Sequence, residues 1–321
     1  MNADLREAAE PLMPPPDGSA ASSRSRTVAV ACESTACLPD DAVRRYGIAV
    51  VPIPFVFGQE TFLDGVDITT QEFYARLARA DSPPLTSPPA PGEYVRAWQQ
   101  SLAAAGSEAR ALVMVTASSR LTTFQRSTQL AQELAGELLP GVAVVVLDSG
   151  SAAMGQGFVT LAAARSAARG QSIEEVLRAA EAVKRRVCMI VTLDTLEYLA
   201  RASRIPQVAA FVGSVLAIKP IVLFADGDVR QLARVRTRRR SINQVIEQLR
   251  LRAPAGGRLH MVVHHTQAAD EAELLRRRLA TDFDCAELTT REFSPVMGGY
   301  CGPGLLGVAF YAEATGDDES G

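Results

Sequence analysis

The feature that most constrains this chain is the exchange of short apolar runs with helix-length stretches through its first half. Val28-Ala29-Val30-Ala31, residues 48–53, Ala111 to Val115 and residues 142–147 are continuous apolar runs. Helical stretches are expected at 69–80, 93–105, 123–137 and 152–169, between and after them. Ser34 and Thr35 follow the first run as candidate caps for a helix that Pro39 begins. A strand that is apolar on both sides of its pleat must be covered on both faces. Strands joined by helices fit a parallel sheet with helices above and below it, which makes the expected fold class α/β.

Beyond Gly170 the pattern changes. Ser172-Ile173-Glu174-Glu175 reads as a capped helix start, followed by a strand at 187–192 and a short helix at 194–201. Ile221 to Ala225 and Val229 to Leu232 flank Asp226-Gly227-Asp228, a strong hairpin signal. Helices at 241–252 and 268–280, with strands at 258–264, 284–290 and 305–311, complete a second unit. Two α/β domains are therefore expected: 27–185 with a mainly parallel sheet, and 186–315 with a mixed or antiparallel one. Residues 1–26 hold Pro11, Pro14, Pro15, Pro16 and Gly18 without an apolar period, and read as a disordered tail, as do 316–321.

Composition narrows the function classes. A chain of 321 residues, 47% hydrophobic and 21% charged, can bury a substantial core. A formal net charge of −3 supplies no global basic field for nucleic acid or an anionic membrane. No apolar run approaches the roughly 18 to 20 residues that span a bilayer, and Asp4, Arg6, Glu7 and Glu10 leave the N-terminus without an apolar signal core. Cys32, Cys37, Cys188, Cys285 and Cys301 are odd in number and scattered, which suits reduced thiols. The chain reads as cytoplasmic.

Two segments put hydroxyls where α/β folds place ligands. Leu85-Thr86-Ser87-Pro88-Pro89-Ala90-Pro91 is a proline-rich loop entering a helix. Thr116-Ala117-Ser118-Ser119-Arg120-Leu121-Thr122-Thr123 follows a strand and opens a helix. Hydroxyls and free N–H groups at a helix N-terminus suit a carboxylate or a phosphate. Taken alone, each set reads more readily as turn or helix caps.

With Asp64-Gly65-Val66-Asp67-Ile68, Leu147-Asp148-Ser149, Leu196-Glu197-Tyr198-Leu199, Ile218-Lys219-Pro220-Ile221 and Gly302-Pro303-Gly304, these segments resemble the DegV family of bacterial fatty-acid-binding proteins, from about Val28 to Phe310. The resemblance implies a carrier without catalytic residues or cofactor. A long-chain fatty acid lies in a buried tunnel between the domains, and its carboxylate is presented to a separate ATP-dependent kinase subunit. The acyl phosphate so formed feeds phospholipid synthesis, with transient contact with membrane enzymes at most. It assigns the carboxylate to Thr86 and to Ser118 or Ser119, and the kinase-facing phosphate contact to Arg204 in Arg201-Ala202-Ser203-Arg204-Ile205. Gly298, Gly299 and Gly302 form the supporting loop.

This chain departs from the family pattern twice. Thr122-Thr123-Phe124-Gln125 is one residue shorter than the family's Ser-Gly-Thr-Tyr-Gln and lacks the glycine. In Gly298-Gly299-Tyr300-Cys301-Gly302-Pro303-Gly304, Tyr300 takes the place of the family's histidine. A phenol can donate to a carboxylate, but with a reference pKa of about 10 it supplies no switchable charge near neutrality.

The remaining candidates are weaker. Strand alternation would aim Arg230, Arg234, Arg236 and Arg238 to one side as a docking patch for an acidic partner. His260 and His264 share a strand face without further metal ligands, and Asp64 and Asp67 read as turn and helix-capping residues. Ile53, Phe55, Phe57, Phe62, Phe73 and Phe158 are candidate tunnel walls. The rival readings are an α/β hydrolase using a Ser or Cys nucleophile, and an interaction module with a vestigial pocket.

Overall fold

The structure is a computed structural model and describes residues 26–80, 83–201 and 218–314. The expected tails at 1–26 and 316–321 lie, apart from Arg26, outside the described residues, as does Arg204.

The first sheet contains β1 (Val28–Glu33), β2 (Ala49–Val51), β6 (Ala111–Thr116) and β7 (Ala143–Asp148), all parallel in the order β2-β1-β6-β7. Its pleat sorts side chains between two cores. Val28, Val30 and Cys32 join one apolar cluster, whereas Ala29 and Ala31 join another around Tyr94 and Trp98. The second cluster is covered by α3 (Pro91–Ala105) and α4 (Gln125–Leu138). The first is covered by α5 (Met154–Ala168), which is buried on nearly every side because α6 (Ile173–Lys184) and the second sheet also pack around it.

The second sheet is mixed, in the order β10-β9-β8-β13-β11-β12. Its strands are β8 (Cys188–Thr192), β9 (Lys219–Ala225), β10 (Asp228–Val235), β11 (Leu259–His265), β12 (Cys285–Glu292) and β13 (Leu306–Ala312). Only β11 and β12 pair in parallel. The helices Arg238–Arg250 (α8) and Ala269–Asp282 (α9) cover its outer face, where Ile190, Leu223, Val245, Met261 and Leu275 form a separate core. The predicted hairpin is present: Asp226 and Gly227 both take positive φ, as its tight turn requires. Ser172 and Glu175 form the predicted capping box.

Several local expectations are corrected. The strand expected at 48–53 is present but short, ending at Val51, and a further strand, β3 (Pro54–Phe57), follows in a third, small antiparallel sheet with β4 (Glu60–Leu63) and β5 (Leu85–Thr86). Strands this short carry too little alternation to be read in advance. Ser34 and Thr35 form a 3-10 turn rather than caps, and α1 (Asp40–Tyr46) begins after Pro39. A β-bulge between Gln231 and Ala233 breaks the arginine stripe. Arg230 lies opposite Leu223 and Arg234 opposite Pro220, three residues apart on β9, so the two arginines point to opposite faces. Arg238 sits in α8 and is tied to Glu271 at 2.8 Å and Asp194 at 3.2 Å.

Candidate functional site

In the parallel sheet the chain winds to β2 on one side of β1 and to β6 on the other. The crevice beyond the carboxyl ends of β1 and β6 is therefore the topological switch point where open α/β sheets take ligands. Glu33 ends β1 there and is fully buried. Its Oε2 accepts from the Ala117 N–H at 2.7 Å and from Gln156 Nε2 at 3.0 Å, and its Oε1 accepts from Tyr94 Oη at 3.2 Å. Among the described residues no cation pairs with it. Burial pushes its carboxyl up to about 7 against the pull of those three donors. Sequence reading passed over Glu33, because a carboxylate at a strand end is ordinarily solvated.

Ser118 and Ser119 follow Ala117, but they open no helix. Helix α4 starts only at Gln125, and the Leu121 and Thr122 N–H groups donate to the Ser118 carbonyl at 2.9 and 3.1 Å. The helix N-terminus expected to present hydroxyls and free N–H groups at this point is therefore absent. Ser118 is buried; its Oγ donates to the Gly227 carbonyl at 3.5 Å and accepts from the Arg120 N–H at 3.3 Å. Ser119 is exposed, and its N–H donates to Asp148 Oδ2 at 3.1 Å.

Thr86 and Tyr300 are brought together, with their hydroxyls hydrogen-bonded to each other. The residues expected to form a glycine-rich loop are largely helical: Gly298, Gly299 and Tyr300 lie in α10 (Pro295–Cys301), and only Gly302, at φ 71°, caps its end in a glycine conformation. The glycines serve close approach. A Cβ on Gly298 would lie 2.0 Å from Tyr74 Oη, one on Gly299 would lie 2.9 Å from Pro84 Cγ, and one on Gly302 would lie 2.1 Å from Tyr198 Cδ2.

The start of α10 is held by Asp64, whose Oδ1 accepts from the Val296 N–H at 3.1 Å and whose Oδ2 accepts from Ser34 Oγ at 2.7 Å. Asp64 does cap a helix, though one from the far end of the chain; burial raises its carboxyl above the usual range. Asp67 closes its own turn by accepting from the Leu63 N–H at 2.7 Å.

Around Thr86 and Tyr300 lies an aromatic cluster. Ile53, Phe55, Phe73 and Phe124 are buried in it, and Phe57, Phe62 and Tyr198 pack against it. Phe55 stacks on Phe62 at 5.6 Å and meets Phe73 edge-on at 5.7 Å. Phe158 belongs instead to the core beneath α5, while Phe124, which sequence reading did not name as a wall, is part of the cluster.

Cys301 is buried, and that burial pushes its thiol up to about 12. His264 is fully buried and pushed down to about 3, so it is neutral, with its Nε2 accepting from the Met154 N–H at 3.2 Å. His260 lies between Glu287 at 2.9 Å and Glu313 at 3.1 Å. Among the described residues no group of three His, Cys, Asp or Glu side chains could hold a metal ion, and no helix is long and apolar enough to cross a membrane.

The model of the DegV family matches residues 27–313, nearly the whole described chain. The chain belongs to the DegV family. This DegV-family chain is 35% identical over 285 residues to a DegV domain-containing protein of Streptomyces coelicolor, covering 88% of this chain and 98% of the relative. Its fold is similar to that of a DegV family protein from Thermus thermophilus described by its fatty acid binding, with a TM-score of 0.80, 27% identity and coverage of 89% and 100%. It is also similar to DegV of Bacillus subtilis, described as a fatty acid binding protein, with a TM-score of 0.79, 27% identity and coverage of 90% and 100%.

Proposed function

We propose that this protein is a carrier that binds a long-chain fatty acid and presents its carboxylate to a separate ATP-dependent kinase subunit for acyl phosphate formation. The observation that carries the reading is the meeting of the Thr86 and Tyr300 hydroxyls across 214 residues of sequence, beside an aromatic cluster. In this reading the acyl chain lies along the Phe55, Phe62 and Phe73 side, and the carboxylate takes hydrogen bonds from Thr86 and Tyr300, with Ser118 and Ser119 nearby on the turn that leads to Phe124. Gly298, Gly299 and Gly302 hold that corner closed, and Arg204 faces the partner.

Burial contributes about 0.8 kcal/mol per methylene, so about fifteen enclosed carbons supply roughly 12 kcal/mol before association costs. That suffices for retention through purification. A serine hydrolase is disfavoured by the Ser118 hydroxyl, which contacts the Gly227 carbonyl and the Arg120 N–H rather than a histidine.

Two experiments test the carrier. Protein purified from a bacterial host and extracted with organic solvent should yield a long-chain fatty acid in near-stoichiometric amount by mass spectrometry; no lipid and no uptake of added fatty acid would sink the reading. In a double-mutant cycle, Thr86→Ala and Tyr300→Phe should each weaken fatty-acid affinity by about 0.5 to 1.5 kcal/mol, and non-additively, because both serve one carboxylate. Additive losses would place Tyr300 outside the head-group site.

A further inference from the structure

Ser118 is also part of a second feature, a cleft that it lines together with Ser119. The cations Arg120, Lys184 and Arg185 and the carboxylates Asp148 and Asp226 line this cleft of about 260 Å³, with Gly150 and Gly227 between them. Two turns form the floor. Gly150 (φ 61°) and Gly227 (φ 73°) approach so closely that the Gly227 N–H donates to the Gly150 carbonyl at 2.7 Å. The first domain's strand ends are thereby clasped to the second domain's hairpin.

Two carboxylates, Asp148 and Asp226, line the cleft beside its cations, and each has partners of its own. Asp148 accepts from the Ser119 N–H at 3.1 Å and the Gly150 N–H at 2.8 Å, and Asp226 pairs with Arg230 at 3.2 Å. Lys184 is shared with Glu181 at 3.3 Å. Among the described residues, Arg120 and Arg185 have no ion-pair partner, and both are exposed to the cleft. The Arg120 backbone N–H donates to Ser118 Oγ at 3.3 Å, which fixes where its side chain leaves the turn.

Two uncommitted guanidinium forks in a concave site suit a tetrahedral oxyanion, which they grip through paired N–H donors. We propose that this cleft binds a phosphate group, with Arg120 and Arg185 as its principal donors. The phosphate can come from a phosphorylated acyl chain or from a nucleotide. Only the acyl source rests on the carrier reading above, and phosphate binding itself is independent of it.

The test uses the full-length protein. Inorganic phosphate titrated at constant ionic strength and followed by 31P NMR should bind saturably. Arg120→Ala and Arg185→Ala should each weaken that binding about tenfold or more, the loss expected for a charge-assisted hydrogen-bonded pair, and Arg230→Ala should not. Titration with dodecyl phosphate against dodecanoate, and with ATP, separates the sources. A preference for dodecyl phosphate that both arginine substitutions abolish identifies the acyl source; ATP binding lost with the same substitutions identifies the nucleotide. Absence of saturable phosphate binding, or binding that survives both substitutions, overturns the proposal. Fatty acid recovered by extraction from a protein that fails the phosphate titration would leave the carrier reading standing, so the two failures are distinct.

Discussion

Two buried carboxylates sit on opposite sides of α5 and are kept in the core by different means. Glu287, on β12, is 7% exposed; it takes two hydrogen bonds from Arg165 of α5, at 2.9 and 3.1 Å, and one contact from His260 at 2.9 Å. His260 in turn stacks on Tyr311 at 4.5 Å. Glu33, on β1, has only neutral donors and is pushed up to about 7. One carboxylate is balanced by a cation reaching across from α5; the other is pushed up to about 7 by burial, which favours its protonated form below that pH. The first arrangement ties α5 to the second sheet. The second anchors a loop, because Glu33 accepts the N–H of Ala117, the residue before Ser118.

The largest effect should come from unpairing Glu287. Arg165→Met leaves a buried carboxylate without its guanidinium and should cost about 3 to 5 kcal/mol in urea unfolding. A loss within about 0.5 kcal/mol, the range of ordinary surface changes, would show that His260 alone suffices and would dissolve the contrast.

Next comes the pH dependence written into Glu33. Between the ordinary value of 4.5 and its folded value of about 7, the folded protein keeps a proton that the unfolded chain has released. Stability therefore falls as pH rises through that window, by about 3 kcal/mol in all, and levels off above it. Glu33→Gln keeps an acceptor for the Ala117 N–H and removes the titration, so its unfolding free energy should vary with pH less than that of the wild type by about this amount. Equal slopes for the two proteins from pH 5 to pH 7 would mean that Glu33 is ionised throughout.

Much of the architecture is legible in local sequence. Asp226-Gly227 marks a hairpin because few residues other than glycine, asparagine and aspartate tolerate its positive φ angles. Ser172 and Glu175 mark a helix start because their side chains satisfy N–H groups that the helix leaves open. The third sheet escaped because β5 spans only Leu85–Thr86. The arginine stripe was misread because a single bulge at Leu232 reverses the facing of everything after it. Gly298 and Gly299 suggested a loop, whereas their lack of a Cβ lets a helix pass against Tyr74, Phe73 and Pro84.

The sequence by itself determined which faces of which segments are apolar, and hence a parallel sheet covered on both sides followed by a mixed one. It singled out Thr86, Ser118, Ser119 and Tyr300, but set the two serines at a helix start and Tyr300 in a loop, where the structure has a turn and a helix. Only the tertiary structure decided that Thr86 meets Tyr300, that Asp64 caps a helix more than 200 residues away, and that Glu33 is buried while, among the described residues, Arg120 and Arg185 have no ion-pair partner. Periodicity records the direction a side chain faces along its own element; the charge state and hydrogen-bonding of a group depend on what is packed opposite, which no local pattern encodes.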